Sequence, residues 1–171
     1  MMAPLVRRTW APRGATPTIY QRGRSHNKVS VIGAICTSPH GRRLRMFFRL
    51  YPNENVDAAL CVDFLRQLRQ NIKGPIIVIW DRLLAHRSKK VKRHLEQERR
   101  ITLEYLPAYA PELNPIEYMW GYVKMNPMAN FTPTTDEELL AKTKSAICET
   151  RCQRDLLRSF VKHSGLPFFH E

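Results

Sequence analysis

A chain of 171 residues and 20.0 kDa is long enough for one well-buried domain and too short for two comfortable ones. Its 43% hydrophobic and 25% charged residues exclude wholesale disorder. No apolar run approaches the ~20 residues that span a bilayer, and no signal core opens the chain, so a cytoplasmic protein is expected. The balance of 28 Lys and Arg against 15 Asp and Glu, net +13, calls for a polyanionic partner.

In chain order, residues 1–28 are rich in Pro, Arg and Gly and read as a basic extended arm, with a short strand around residues 6–10. Residues 29–36 (VSVIGAIC) and 44–50 (LRMFFRL) are strand-like runs on either side of a PHGRR turn, a hairpin. Val56, Leu60, Phe64 and Leu68 recur every four residues, which predicts a helix over 55–71, stopped by Lys73-Gly74-Pro75. The run IIVIW at 76–80 has the look of a strand buried on both faces in mid-sheet, with Asp81 at its C-terminal end. Residues 88–100 predict a helix with Val91 and Leu95 inward and a thick basic outer face that includes Lys89 and Lys90. Residues 101–106 (ITLEYL) predict the next strand, parallel to the last. Asn114 then caps a helix with Pro115 in its first turn, Asn126-Pro127 ends it, and two more helices follow near 135–149 and 152–163. The order predicts an α/β fold with a mixed sheet and flanking helices.

Charge is uneven along the chain. No Asp or Glu precedes Glu54, while Arg7, Arg8, Arg13, Arg22, Arg24, Lys28, Arg42, Arg43, Arg45 and Arg49 all do. Nucleic acid is the default partner for such a cationic third; a solvated basic face and an anionic membrane surface are the alternatives, without a lipidation signal or basic amphipathic helix to support the latter. Four scattered cysteines fit reduced thiols. Cys148 and Cys152 with His163 and His170 lack the paired spacing of a zinc site.

Two carboxylates stand out. An Asp directly after a buried strand is held at the sheet edge where α/β folds place their sites, although a loop-capping Asp would look the same. Glu117 is harder to read, because Asn114-x-x-Glu117 also spells a capping box in which the Glu returns to the N-cap amide.

Together, IIVIWDRLLAH at 76–86 and LPAYAPELNPIEYMW at 106–120 closely resemble the second and third motifs of mariner-related, insertion-sequence-type DDE transposases. The resemblance extends to RRTWAPRGATP at 7–17 and VSVIGAI at 29–35. It implies a ribonuclease-H-like domain over 29–171, with 1–28 the remnant of a first-strand region and that strand missing or incomplete. It also implies that Asp81 and Glu117 are catalytic ligands of a two-ion Mg²⁺ (or Mn²⁺) site, clamping the attacking and leaving oxygens of a phosphodiester displacement. His86 and Asn114 lie in the same motifs; each is an auxiliary group near metal or DNA, or else a satisfied loop histidine and an ordinary N-cap. Trp80 and Trp120 read as core residues rather than base-stacking platforms. Arg7, Arg8, Arg13, Arg42, Arg43, Arg45, Lys89 and Lys90 are the expected contacts to the DNA backbone.

The sequence departs from the family at two places. Arg82 stands where the family usually has Asn, and its guanidinium could pair with Asp81 or contact a phosphate. No carboxylate precedes Glu54 to serve as the first acidic ligand, and Asp57 and Asp63 sit on the wrong side of their helix. The expectation is therefore a catalytic domain for DNA cleavage and strand transfer, incomplete by itself, acting on double-stranded DNA and the terminal repeats of its element. It would work as a homodimer or with an upstream transposase fragment, in a bacterial cytoplasm at the nucleoid. The alternative is a non-enzymatic DNA-binding fragment that dimerises with or inhibits an intact transposase. An RNA-binding protein would leave LNPIE unexplained.

Overall fold

In the computed structural model, residues 5–18, 28–39 and 41–166 are described. Strands β1 (Val29–Thr37) and β2 (Leu44–Pro52) form the expected antiparallel hairpin, in register from Val29 opposite Pro52 to Thr37 opposite Leu44. Gly41, at φ 65, closes the turn with its N–H on the Ser38 carbonyl. Apolar residues occupy both faces of the hairpin. Val29, Val31, Ile35, Met46, Phe48 and Leu50 join one core, and Ile32, Ala34, Cys36 and Phe47 join another.

The second core belongs to α1 (Ala58–Asn71), which buries Cys61, Val62, Phe64, Leu65 and Leu68. The helix starts later than its periodicity implied because Asp57 is its cap, accepting the Leu60 N–H. Beside it, β3 (Ile76–Trp80), α2 (Lys89–Gln97) and β4 (Ile101–Tyr105) make the strand-helix-strand unit, with β3 and β4 parallel. Among the described residues the strands thus form an antiparallel pair and a parallel pair, tied together through the α1 core rather than by a ladder between them.

One expectation fails here. Strand β3 is not buried on both faces: Ile76, Val78 and Trp80 face the α1 core, whereas Ile77 is 68% exposed and Ile79 38%. A continuous apolar run specifies a strand but not how many of its faces are covered. In a two-stranded sheet β3 is also an edge, not a central strand, among the described residues.

The first core is completed by α3 (Pro115–Met125), α4 (Asp136–Cys152) and α5 (Arg154–His163), which bury Met119, Val123, Ile147 and Leu157 against the hairpin. Thr135 caps α4 and three acidic residues fill its first turn, where the helix dipole favours them. Among the described residues no helix is long and apolar enough to cross a membrane.

The expected strand around 6–10 is absent: residues 5–12 carry no strand. Asn130, in the left-handed conformation at φ 57, takes the place of a strand partner. Its side chain accepts the Arg7 N–H (2.7 Å) and donates to the Arg7 carbonyl (2.9 Å), while its own N–H donates to the Leu5 carbonyl. An amide side chain satisfies the backbone that a ladder would otherwise pair. Arg22, Arg24 and His170 lie outside the described residues.

Candidate active site

Asp81 leaves the end of β3 with both its neighbours fixed. Its Oδ1 accepts the Leu83 N–H (3.0 Å), the loop-capping role that sequence position allowed, and also meets His86 Nδ1 at 2.8 Å. His86 in turn stacks flat on Trp80, with ring centroids 4.2 Å apart and planes 1° from parallel, and hydrogen-bonds the buried Cys61 side chain. Oδ1 is thereby used up, and Oδ2 has no hydrogen-bond partner among the described residues. Capping and function are not exclusive for this residue, because a carboxylate has two oxygens.

The electrostatics follow from that contact. The hydrogen bond from His86 holds the Asp81 carboxyl below its ordinary range, against the opposing effect of desolvation. Burial alone would lower the His86 imidazole, but its hydrogen bonds to Asp81 and Cys61 and the Asp81 charge raise it to about 9. His86 is thus a charged partner of Asp81 and not a bystander in the loop. Trp80 packs in the α1 core and serves as the floor on which His86 lies.

Glu117 arrives from the other side. The Leu106 N–H donates to the Trp80 carbonyl (2.9 Å), and the chain then turns through residues 106–113 to Asn114. The Asn114 side chain accepts the Ile116 N–H (3.3 Å) and Pro115 occupies the first turn, as an N-cap should. The reciprocal half of a capping box is not made: the Glu117 carboxylate has no hydrogen-bond or ion-pair partner among the described residues. Trp120, three residues further along α3, packs over β1 at Gly33, where an added Cβ would lie 3.0 Å from its ring. Trp120 is core, as read, and this close seat fixes where the first turn of α3 sits.

Asp81, Glu117, Asn114, Arg82 and Arg87 line one cavity of about 470 Å³, together with residues 106–111. Arg82 does not pair with Asp81; its Nε donates to the Leu106 carbonyl at 3.2 Å. Asp57 is committed to capping α1, and Asp63 pairs with Arg66 at 2.9 Å; neither lines the cavity. Among the described residues no group of three or more His, Cys, Asp or Glu is placed to hold a metal ion, and Cys148 and Cys152 are free thiols.

The expected DNA contacts are dispersed. Arg8, Arg13, Arg42, Arg43, Arg45, Lys89 and Lys90 are exposed. Arg7 is instead drawn to the end of α3, donating to the Met125 carbonyl and to Asn126 Oδ1 at 2.8 Å each. Sequence reasoning missed two cavity residues, Arg87 and Tyr109. Arg87 sits one residue past the DRLLAH phrase, and nothing in its spacing shows that the turn at 84–87 swings it toward Asp81. Tyr109 at least lies inside the phrase that carries Glu117.

A family model described as DDE superfamily endonuclease matches residues 2–140. The chain belongs to this family. The solved structures it is similar to include the Mos1 strand transfer complex (19% identity, TM-score 0.56, covering 96% of this chain and 52% of that one). The Mos1 mariner paired-end complex with Mn matches at 17% identity and TM-score 0.56, over 99% of this chain and 53% of that one. The Mos1 transposase paired-end complex with left transposon end does so at 20% and 0.56, over 96% and 52%. The chain thus spans about half the length of the solved chains it matches, and the likeness is one of fold. A sequence comparison with curated proteins gives no match. The DDE-superfamily expectation is borne out and the fold is like that of the Mos1 structures; among the described residues, Asp81 and Glu117 are the acidic residues that line the cavity.

Proposed function

We propose that residues 29–171 are the part of a DNA transposase catalytic domain that contributes Asp81 and Glu117 to a site for DNA strand cleavage and strand transfer, with 1–28 as its basic arm. The observation that carries the reading is Glu117. A carboxylate at the third position of a helix would ordinarily return to its cap, and here it faces the Asp81 cavity without a partner. The donor set fits a divalent ion such as Mg²⁺ or Mn²⁺: the free oxygens are hard carboxylates, His86 engages only Oδ1 of Asp81, and the described lining residues include no thiol or imidazole. When bound, such ions activate the attacking oxygen and neutralise the leaving one. The protein's own share is positional. Leu83 and His86 engage Oδ1 and leave Oδ2 without a hydrogen-bond partner among the described residues, Asn114 and the Gly33–Trp120 seat set the first turn of α3, and Arg82 and Arg87 place positive charge at the cavity for a phosphodiester. Double-stranded DNA bearing the terminal repeats of an element is the proposed substrate, in a cytoplasmic, nucleoid-associated setting.

A second reading has its own observation. Because two carboxylates and no third are brought together among the described residues, the chain by itself would be a DNA-binding fragment that pairs with another copy or with an intact transposase. One experiment separates the two. A labelled terminal-repeat duplex incubated with Mg²⁺ or Mn²⁺ should show no cleavage by this chain alone, and fusing on a strand that carries an Asp should restore nicking. Asp81→Asn or Glu117→Gln should then abolish it by 10³-fold or more, on the order of the loss of a positioned electrostatic group. Cleavage by the unextended chain that survives Asp81→Asn would place the active site elsewhere; a fusion that binds DNA and never cuts favours the fragment.

A further inference from the structure

Tyr109 is doubly anomalous. Its backbone sits at φ 58, a left-handed conformation that a bulky side chain adopts only under constraint, and its exposure is 101%, so the ring rests on nothing. Neither feature comes from a slack loop. Pro107 and Pro111 restrict the backbone on both sides, the Leu106 N–H holds the Trp80 carbonyl, and the Leu113 N–H returns to the Ala110 carbonyl (3.2 Å). The strained residue therefore stands on a stiff rim, and that rim lines the cavity of Asp81 and Glu117.

From this placement we infer that Tyr109 is a stacking platform for an unpaired nucleobase adjoining the phosphodiester held over Asp81 and Glu117. The inference rests on the DNA reading above. The chemistry favours a base: a π-face free on the rim, beside Arg82 and Arg87 that can take the backbone phosphate, reproduces the alternation of ring and guanidinium that grips single-stranded nucleic acid. Bases inside a duplex are stacked on each other and cannot reach such a ring. The ligand is then a frayed, overhanging or extruded nucleotide. A left-handed backbone suits this role, since it lifts the side chain out of the loop instead of letting it fold onto the neighbouring apolar residues.

The test compares two duplexes that differ by one feature, read by fluorescence anisotropy with the full chain. One carries a two-nucleotide 3′ overhang, and the other carries the same overhang with abasic sugars, so the phosphates are identical. The wild-type chain should prefer the intact overhang by about tenfold, the size of one base stacked on one aromatic ring. Tyr109→Phe should keep that ratio, whereas Tyr109→Ala and Tyr109→Gly should bring it to about one. Tyr109→Gly should meanwhile raise the melting temperature by about 2 °C, because glycine tolerates the positive φ. A residue kept only for packing would lose both stability and binding. Equal affinity of the wild type for the two overhangs, or a ratio that survives Tyr109→Gly, overturns the inference while leaving the DNA reading intact. A wild-type chain that binds neither overturns both.

Discussion

The hairpin β1–β2 and the parallel pair β3–β4 share the α1 core, yet they are covered unequally. The hairpin is packed on both faces, by α1 on one side and by α3, α4 and α5 on the other. The parallel pair is packed on one face, and Ile77 and Ile79 stand open on its other. Asp81 is carried by the less covered pair and Glu117 by a helix seated on the better covered one. The candidate site therefore lies where a rigid half of the molecule meets a half with less to hold it, and the mutual position of the two carboxylates depends on both.

The same substitution on each side should expose this difference. Ile147→Ala, at a fully buried position behind the hairpin, should cost about 3 kcal/mol, while Ile77→Ala should change stability by less than about 0.5 kcal/mol. Urea denaturation midpoints measure both, and comparable losses would mean that the open face of β3 is covered in solution.

A smaller and more local effect should come from Gly33→Ala. The new Cβ would meet the Trp120 ring at 3.0 Å, so overpacking should destabilise by about 1 to 2 kcal/mol. Because the same contact seats α3, the substitution should also shift the Glu117 resonances in an NMR spectrum more than those of Asp81. Equal shifts would show that the two halves move as one.

The smallest expected effect is the pH dependence of the Asp81–His86 pair. His86 rises from 6.5 to about 9 in the folded chain, so its contribution is full below pH 6.5 and fades as pH climbs through about 9. Asp81 is shifted downward from 3.8, so its contribution is present above that value and fades as pH falls through the lower folded one. Since the Asp81 side chain is half exposed, screening should reduce the His86 part to about 1 kcal/mol. Thermal melts between pH 6.5 and 9 should show wild type losing that advantage over His86→Ala, and parallel curves would remove the pair from the account.

Much of this was legible in the sequence, for identifiable reasons. Strand β3 could be placed because Pro75 and Asp81 bracket five apolar residues, and α3 because Asn114 and Pro115 are the residues a helix start requires. The bareness of one β3 face was not legible, since covering it is a matter of which other elements exist. Nor was the freedom of Glu117: NPIE spells a cap and a ligand alike, and only the direction of the side chain tells them apart. Arg82 likewise had two acidic or anionic partners to choose from and took a carbonyl from the neighbouring strand end, 24 residues away.

The clasp between Asn130 and Arg7 has a consequence of scale. A strand zipped into a sheet is released only when the sheet unfolds, whereas this arm is moored at a few points clustered around Arg7. Such a mooring opens by local fluctuation, far more often than the hairpin does. Once unmoored, residues 5–18 can extend to about 50 Å, more than the diameter of a domain this size.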